Sequence, residues 1–164
     1  MGERGREASP HRPRRKDGCR ARAGDQTRDG FRGLIVLDAS AAVEMLAESA
    51  TGLVAAAAIA NERLVVPAHF DAEVYGTFRR LFRHGTLSRR RFDAIVLRLA
   101  TLAAERVGLS ALLLEAHVIA DRVSATDAFY VALARARDVD LLTTDADLAQ
   151  GGVTSARVRL IPPA

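Results

Sequence analysis

Short apolar runs alternate with longer amphipathic stretches from residue 34 to the end of the chain. The runs have the length of strands and are rich in Val, Ile and Leu, whereas the stretches between them repeat apolar residues at helical spacing. Strands are predicted over 34–37, 63–67, 106–110, 140–144 and 158–161. Helices are predicted from the end of the first strand to about residue 60, and over 69–84, 88–104, 111–121 and 124–138.

This alternation is typical of an α/β fold in which helices cover both faces of a parallel sheet. Pro67 is expected to close the second strand, because proline cannot donate to a central ladder. Gly85 is expected to end its helix, and Ser88 to cap the next one. We therefore expect one α/β domain over residues 34–164, with a central parallel sheet of about four to five strands.

Four acidic residues are predicted to meet at the edge of this sheet where the parallel strands end. Asp38 directly follows the first strand, LIVL, and Asp145 directly follows DLLTT. Glu73 lies one turn into the helix after the second strand, on the apolar stripe of that helix. Asp127 lies in the first turn of a helix that must begin at the same edge, because its other end leads into the strand at 140. Ligands of open parallel sheets bind at this edge.

A cluster of carboxylates cannot stay charged without cations or protons. Two ionised carboxylates about 4 Å apart repel each other by roughly 4 kcal/mol at an effective dielectric constant near 20. Carboxylate oxygens without His or Cys partners are typical ligands of Mg²⁺ or Mn²⁺. One or two such ions can activate water and stabilise the leaving oxygen of a phosphodiester. The pattern therefore indicates a metal site suited to phosphodiester hydrolysis.

Each of these acids is also weighed against a purely structural interpretation. Asp127 completes the motif SATD, in which Ser124 and Asp127 match a capping box, and the cap and the ligand remain equally open. Asp38 could be an ordinary first-turn acid favoured by the helix dipole. Glu73 is harder to explain in this way, because an acid on an apolar stripe needs a partner.

The remaining polar candidates also allow both a role in the site and a purely structural role. Asp145 and Asp147 share a helix start, so one could be a ligand and the other a cap; Asp145 is favoured as the ligand and Asp147 is kept as a second candidate. Asp71 is expected to be a solvated residue on the polar side of its helix. Three hydroxyl residues could either hydrogen-bond to metal-bound waters or carboxylates, or have turn and cap roles: Ser40, Thr126 and Thr144.

Composition excludes several classes of protein. Aromatic residues make up 5% of the chain and Trp is absent, which argues against single-strand binding by stacked rings. The single cysteine, Cys19, excludes an internal disulfide and a Cys-cluster zinc site, so a reducing cytoplasm is expected. The longest apolar run, 52–60, is far shorter than the roughly 20 residues of a membrane helix, and no secretory signal is predicted.

Positive charge is concentrated at the N-terminus. Residues 1–33 hold ten Lys or Arg and five acids, which leaves 14 basic and 15 acidic residues for 34–164. Phe31 is the only large apolar residue of this segment, so we expect a disordered basic extension. It could bind nucleic-acid phosphates, or it could be a solvated extension or the product of a start codon assigned too early.

The ordered set of motifs resembles a known family. LIVLDASAAVEML, VVPAHFDAEVYGTFRRL and SATDAFYVALARARDVDLLTTDADL are similar to segments of PIN-domain ribonucleases of the VapC type, the toxins of VapBC toxin-antitoxin modules. The resemblance covers about 34–164 and implies a PIN-like three-layer α/β/α fold. It places the family's metal-binding acids on Asp38, Glu73, Asp127 and Asp145, with Asp147 at a position that is acidic in many members.

The same resemblance implies an activity and partners. We expect Mg²⁺- or Mn²⁺-dependent hydrolysis of RNA, with transfer and ribosomal RNA as candidate substrates, inhibition by a cognate VapB-like antitoxin, and a homodimer. The basic N-terminal extension departs from the family, whose members usually begin just before the first strand.

Two further clusters accompany the acids. RRLFRHGTLSRRR, residues 79–91, places six arginines around one turn between helices, which predicts a phosphate-binding patch unless they form a solvated helix face. The arginines are Arg79, Arg80, Arg83, Arg89, Arg90 and Arg91. Four nearby apolar residues could form a groove for an antitoxin helix or belong to the core or a dimer contact. They are Phe78, Leu81, Phe82 and Leu87.

Two other functions compete with the nuclease. A doubly wound Mg²⁺-dependent phosphohydrolase would use Asp38 as nucleophile, but such enzymes usually need an acid two residues later and a lysine, whereas position 40 is Ser and 34–164 contains no lysine. A non-catalytic binding module of the same fold is the other alternative. Intact acids at all four positions argue against it.

Overall fold

The computed structural model describes residues 31–150 and 156–164. Its strands are β1 (Gly33–Leu37), β2 (Glu62–Pro67), β3 (Ala104–Val107), β4 (Asp140–Thr143) and β5 (Val158–Leu160). They form one sheet in the order β3-β2-β1-β4-β5, and every neighbouring pair is parallel. The predicted parallel sheet is confirmed. Of the predicted basic extension, residues 1–30 lie outside the described residues, and Gly33 already belongs to β1.

Helices lie on both sides of this sheet, as expected for a three-layer α/β/α fold. They are α1 (Ala39–Ala47), α2 (Ala50–Ile59), α3 (Phe70–Arg83), α4 (Arg89–Ala100), α5 (Leu113–Ile119), α6 (Ala125–Arg137) and α7 (Ala146–Ala149), with a 3-10 turn at Leu109–Ala111. One group is built from contacts among α1, α2, α3 and α4, and the other from α5 and α6. The sequence prediction of this fold class is confirmed.

The helical stretch predicted up to residue 60 is in fact two helices. Glu48 adopts a left-handed backbone with φ of 58°, which ends α1. Ser49 then caps α2 by accepting a hydrogen bond of 2.9 Å from the N–H of Gly52. A Cβ atom at Gly52 would lie 2.0 Å from the carbonyl oxygen of Glu44, so this tight corner requires glycine.

The boundaries around the third strand also differ from the prediction. α4 ends at Ala100 and not near 104, because the chain must turn in time to form β3 beside β2. β3 has the sequence AERV, whose two central residues are charged and exposed, so its apolar pattern is weak. The helix predicted over 111–121 is a 3-10 turn followed by the short α5.

Among the described residues, no single helix has the length and apolar character needed to cross a membrane. The pair α1 and α2 meets that criterion only when the two are joined, and they are bent by 114° relative to each other.

The core fixes where the strands end. Leu37 and Leu142 are fully buried partners in the parallel register of β1 and β4. The N–H of Asp38 continues this ladder by donating to the carbonyl of Leu142 at 2.9 Å. Helix α6 covers β1, β2 and β4 with a continuous buried run, residues 130–134. The first polar residues after these strands therefore lie beside each other at one rigid edge of the sheet.

Candidate active site

A pocket of about 340 Å³ lies at the carboxyl ends of β1 and β4. The four acids predicted to converge there all line it: Asp38, Glu73, Asp127 and Asp145. Ser40, Thr77 and Thr144 contribute polar atoms to the same wall. A further acid that the sequence argument did not select, Glu44 of α1, also lines the pocket, and its carboxylate accepts a hydrogen bond from Ser49.

Asp38 is the most enclosed of these acids, with 4% of its surface exposed. Its Oδ2 accepts hydrogen bonds from the hydroxyl of Ser40 and from the hydroxyl of Thr143, the latter at 2.7 Å. Burial raises the pKa of Asp38, the two hydroxyls oppose that rise, and the negative charge of Asp127 adds to it. A charged Asp38 is therefore unfavourable in the pocket unless positive charge is supplied.

Glu73 has the partner that its place on an apolar stripe demanded. The buried hydroxyl of Tyr130 donates to Oε2 of Glu73 at 2.9 Å. Burial raises the pKa of Glu73, the hydrogen bond from Tyr130 lowers it, and the charges of Asp38 and Asp127 raise it again. The net direction is upward, as for Asp38. Two carboxylates of this pocket thus disfavour their charged form in the absence of a cation.

His69 lies beside Glu73 at the start of α3, where the sequence argument had assigned it no role. Its Nε2 is 3.5 Å from Oε2 of Glu73, and its ring meets Phe129 and Tyr130 edge-on at centroid distances of 5.6 Å and 5.1 Å. Neither ring nitrogen has a hydrogen-bond partner within the described part of the chain. Burial lowers the pKa of His69, against the effect of Asp127. No sequence pattern marked this contact, because it depends on the packing of α6 against α3.

Asp127 takes part in the cap of α6 and also lines the pocket, and its role as a metal ligand stays a prediction. Its N–H donates to Oγ of Ser124 at 3.1 Å, and that hydroxyl donates to Oδ2 of Asp127 at 2.6 Å, so the capping prediction is confirmed. The same side chain lines the pocket, and its charge acts on both Asp38 and Glu73. The cap holds the carboxylate at the pocket and does not compete with a role there.

Asp145 is the capping residue of α7. Its Oδ1 accepts the N–H of Asp147 at 2.8 Å, and Asp145 also lines the pocket. Asp147 lies outside the pocket, in an adjoining depression of about 430 Å³ that it shares with Asp127 and Asp145. The expected division, with one acid as ligand and the other as cap, does not describe this geometry, because the capping acid is also the one in the pocket.

Thr143 is a site residue that the sequence argument missed. It is fully buried, donates to Asp38 and accepts the N–H of Asp145 at 3.0 Å, which links the two acids. Ser40 makes the predicted contact with a carboxylate and also accepts the N–H of Thr144 at 3.1 Å. Thr126 lies beside the cap of α6, with its hydroxyl 3.1 Å from that of the capping Ser124. The available signal for Thr143 was a hydroxyl at the last position of a strand, directly after the apolar residues Leu141 and Leu142.

These acids all fall within a segment that matches a known domain. The PIN domain profile matches residues 35–152. This chain belongs to the PIN-domain family. Ribonuclease VapC3 of Mycobacterium tuberculosis is 41% identical to it over 117 residues, which are 71% of this chain and 85% of the relative. Ribonuclease VapC12 of the same organism is 34% identical over 128 residues, 78% of this chain and 99% of the relative.

Within the PIN-domain family, these similarities place the chain among the VapC ribonucleases. The fold also agrees with solved structures. The crystal structure of VapBC2 from Rickettsia felis, bound to a DNA fragment from their promoter, superposes with a TM-score of 0.57 at 12% identity, covering 77% of this chain and 98% of the other. At this identity the likeness shows the shared fold alone.

The donor chemistry of the PIN-domain pocket fits a hard divalent cation. Its candidate ligands are carboxylates with hydroxyl neighbours, and no Cys lines it. Burial raises the pKa of both Asp38 and Glu73, so a cation would relieve a cost already present. Over residues 31–150 and 156–164, however, no three Asp, Glu, His or Cys side chains are already arranged to hold an ion. The pocket therefore offers the ligand types without a preformed cage.

The arginines of residues 79–91 and the apolar residues near them lie in different environments. Arg89 pairs with Asp93, and Arg91 donates to the carbonyl of Ala47. Three other arginines line a separate groove on α3: Arg79, Arg80 and Arg83. The apolar residues contribute to the core. Phe78 is 1% exposed, and three partly buried residues pack against the core: Leu81, Phe82 and Leu87. Phe78 is therefore a core residue, and a contact of the three partly buried residues with an antitoxin or a second copy stays a prediction.

Proposed function

We propose that this VapC-type PIN-domain protein is the toxin of a toxin-antitoxin pair and an endoribonuclease that hydrolyses RNA phosphodiester bonds with Mg²⁺ or Mn²⁺. The observation that carries the proposal is the pocket at the sheet edge, which gathers carboxylates from four separate elements: Asp38, Glu73, Asp127 and Asp145. The similarity to VapC ribonucleases supports the same activity.

The side chains of this chain would hold the cation and orient the scissile phosphate. A divalent cation bound there lowers the pKa of water and stabilises charge on the leaving oxygen. Asp38 is held in place by the hydroxyls of Ser40 and Thr143, and Glu73 is held by the hydroxyl of Tyr130. Each proposed ligand therefore has a neighbour that fixes its position, as metal ligands generally require.

Asp127 and Asp145 are anchored by their caps, so both side chains enter the pocket from rigid helix starts. Asp147 is proposed as an auxiliary carboxylate, because it lines the adjoining depression and not the central pocket. The phosphohydrolase alternative gains no support, since the residue two positions after Asp38 is Ser40, whose hydroxyl donates to Asp38.

We also propose the biological setting that the VapC relatives suggest. The substrate would be a transfer or ribosomal RNA in the cytoplasm, a cognate VapB-like antitoxin would inhibit the enzyme, and the protein would act as a homodimer. Support comes from the VapC relatives and from the fold shared with a VapBC complex of Rickettsia felis.

The test uses the full chain, purified without antitoxin and incubated with structured RNAs in Mg²⁺, Mn²⁺ or EDTA. Asp38→Asn keeps the size of the side chain and removes its charge. Asp93→Asn is the matched control, because Asp93 pairs with Arg89 on the exposed face of α4. We expect cation-dependent cleavage by the parent and by Asp93→Asn, and none by Asp38→Asn. Equal cleavage by all three proteins would refute the proposed site.

A further inference from the structure

A glycine in the middle of α3 has no explanation within the fold. Gly76 is the seventh residue of the helix Phe70–Arg83, where glycine is less stable than alanine. A Cβ atom at Gly76 would meet nothing within 4 Å, and its φ is not in the left-handed range. Neither close packing nor backbone strain therefore requires glycine here. An open glycine on a helix surface suits a position that a ligand backbone approaches closely.

The space above Gly76 is a groove of about 440 Å³ with positively charged walls. It is lined by Gly76, Arg79, Arg80, Arg83 and His84, which we call the arginine groove. Many other arginines in the described ranges are neutralised by acids: Arg89, Arg98, Arg106, Arg135, Arg137, Arg157 and Arg159. Within the same ranges, none of the three arginines of the groove forms an ion pair. Their charge is available to an external anion.

A hydrogen bond along α3 links a residue of the arginine groove to a residue of the acidic pocket. Thr77 lines the acidic pocket, and its hydroxyl accepts a hydrogen bond of 3.3 Å from Arg80. Glu73, Thr77 and Arg80 follow the spacing i, i+4, i+7 and so share one helix face. Seven residues of helix span about 10 Å, so Arg80 lies about that far from Glu73 along the axis of α3. A ligand that reaches both must be extended and must carry more than one negative group.

We propose that the arginine groove binds the phosphate backbone of the RNA beside the scissile bond, and that Gly76 lets the sugar-phosphate chain approach the helix. This rests on the proposed function, in which RNA is the substrate of the acidic pocket. The groove is lined by cationic side chains and contains no Phe, Tyr or Trp, so it would contact phosphates and not stack bases. It positions any RNA strand, and selection of a cleavage site arises elsewhere.

The first experiment measures binding of a fluorescent single-stranded RNA to the full chain, in an Asp38→Asn background that prevents cleavage. Gly76→Leu places an isobutyl group in the groove, from a Cβ position that has no atom within 4 Å. We expect it to weaken binding about tenfold, as when one charge-assisted hydrogen bond is lost, while the melting temperature stays equal or rises. The charge of the protein is unchanged in this variant, so a loss of affinity would report access to the groove.

The second variant, Arg80→Gln with Arg83→Gln, tests the charge. Its control is Arg32→Gln with Arg63→Gln, which removes the same charge from two exposed residues. Both lie at the amino-terminal ends of β1 and β2, whereas the acidic pocket lies at the carboxyl ends. The slope of log affinity against log salt should fall by about 1.4 for the groove variant, at about 0.7 per lost phosphate contact, and stay constant for the control. The N-terminal basic residues are the same in every protein compared.

Cleavage assays with Asp38 intact separate the two proposals. The arginine groove is supported if the parent cleaves RNA and if Gly76→Leu and the arginine variant both show a raised KM with an unchanged kcat. Cleavage by the parent with unaltered KM, RNA affinity and salt slope in both variants overturns the groove and leaves the proposed function intact. If the parent does not cleave RNA with either cation, the proposed function fails.

Discussion

The hydroxyl of Tyr130, on α6, donates a hydrogen bond of 2.9 Å to Oε2 of Glu73, on α3. Tyr130 is fully buried, and burial followed by the nearby charge of Glu73 raises the pKa of its phenol. The phenol therefore stays protonated and remains a donor. The bond fixes one oxygen of a proposed metal ligand through a residue that does not itself line the pocket.

Tyr130→Phe should weaken cation binding while leaving the fold intact. Losing the hydroxyl removes the donor that orients Glu73, so we expect a drop of about tenfold in Mn²⁺ affinity and of about 1 kcal/mol in the free energy of unfolding. Isothermal titration with Mn²⁺ and urea unfolding measure the two effects. Tyr75→Phe is the control, because Tyr75 is the other tyrosine of the chain and is 42% exposed. Unchanged Mn²⁺ affinity in Tyr130→Phe would show that the hydrogen bond does not position the ligand.

The centre of the sheet could be predicted from the sequence because β1 and β4 are largely buried. LIVL and the Leu pair of β4 therefore appear as apolar runs, and the parallel arrangement brings Asp38 and Asp145 to one edge without further information. The division of the helix at Glu48 was not predictable. It depends on the close approach of Gly52 to the carbonyl of Glu44, a tertiary contact that leaves no periodic signal.

The acids of the site could be predicted, but their supporting residues could not. Each acid follows a strand or begins a helix, and these positions can be read along the chain. Tyr130 and Thr143 act through partners 57 and 105 residues away, Glu73 and Asp38 respectively. Which buried hydroxyl meets which carboxylate is decided by side-chain packing, and periodicity does not encode it.

Thr143→Val should damage the site more than the fold. The substitution keeps the shape of the side chain but removes the donor to Asp38 and the acceptor for the N–H of Asp145. We expect the free energy of unfolding to fall by about 1 to 3 kcal/mol and RNA cleavage to decrease about tenfold or more. Thr143→Ser retains the hydroxyl and should restore most of the cleavage. If Ser and Val variants cleave equally, the hydroxyl has no part in holding Asp38.

The cap and the proposed ligand role of Asp127 can be separated by two substitutions. Ser124→Ala removes the cap of α6, so the free energy of unfolding should fall by about 1 kcal/mol. Asp127→Asn retains the N–H that Ser124 accepts but loses the charge, so cleavage and Mn²⁺ affinity should fall with a smaller effect on stability. Thermal unfolding and single-turnover cleavage give the comparison. The reverse pattern would make Asp127 a structural residue.

The two glycines of α3 and its C-terminal turn should respond to alanine with opposite signs. Gly85 has φ of 74°, and its N–H donates to the carbonyl of Phe82 at 3.0 Å as the helix ends. Alanine at Gly85 is strained in this conformation and should cost about 1 kcal/mol. Alanine at Gly76 meets no neighbour and should raise the free energy of unfolding by about 0.5 to 1 kcal/mol. Urea unfolding of both variants measures the signs, and a destabilised Gly76→Ala would mean that the fold itself needs that glycine.

Asp140 of β4 pairs with two arginines at the edge strand β5, beside the backbone ladder and a second contact from Asp138 to Arg157. Asp140 accepts hydrogen bonds from Arg157 at 3.0 Å and from Arg159 at 2.9 Å. Partial burial raises the pKa of Asp140, but the hydrogen bonds and charges of the two arginines outweigh it, and the pKa lies below its ordinary value of 3.8. A carboxyl group whose pKa is lower in the folded chain stabilises the fold above its unfolded pKa. That contribution is lost as the pH falls through the folded pKa.

Asp140→Asn should therefore destabilise the protein in a pH-dependent way. We expect a decrease of about 1 kcal/mol in the free energy of unfolding at pH 7, because the carboxyl is partly exposed and its ion pairs are screened by solvent. The difference from the parent should persist at pH 5, begin to shrink as the pH falls below 3.8, and be lost once the pH passes below the lowered pKa of Asp140 in the folded parent. Urea unfolding across this range measures the difference. Asp93→Asn, which removes a more exposed ion pair, should change stability less at pH 7. A gap between Asp140→Asn and the parent that is the same at every pH would mean that the shape of the side chain, and not its charge, holds β5 in place.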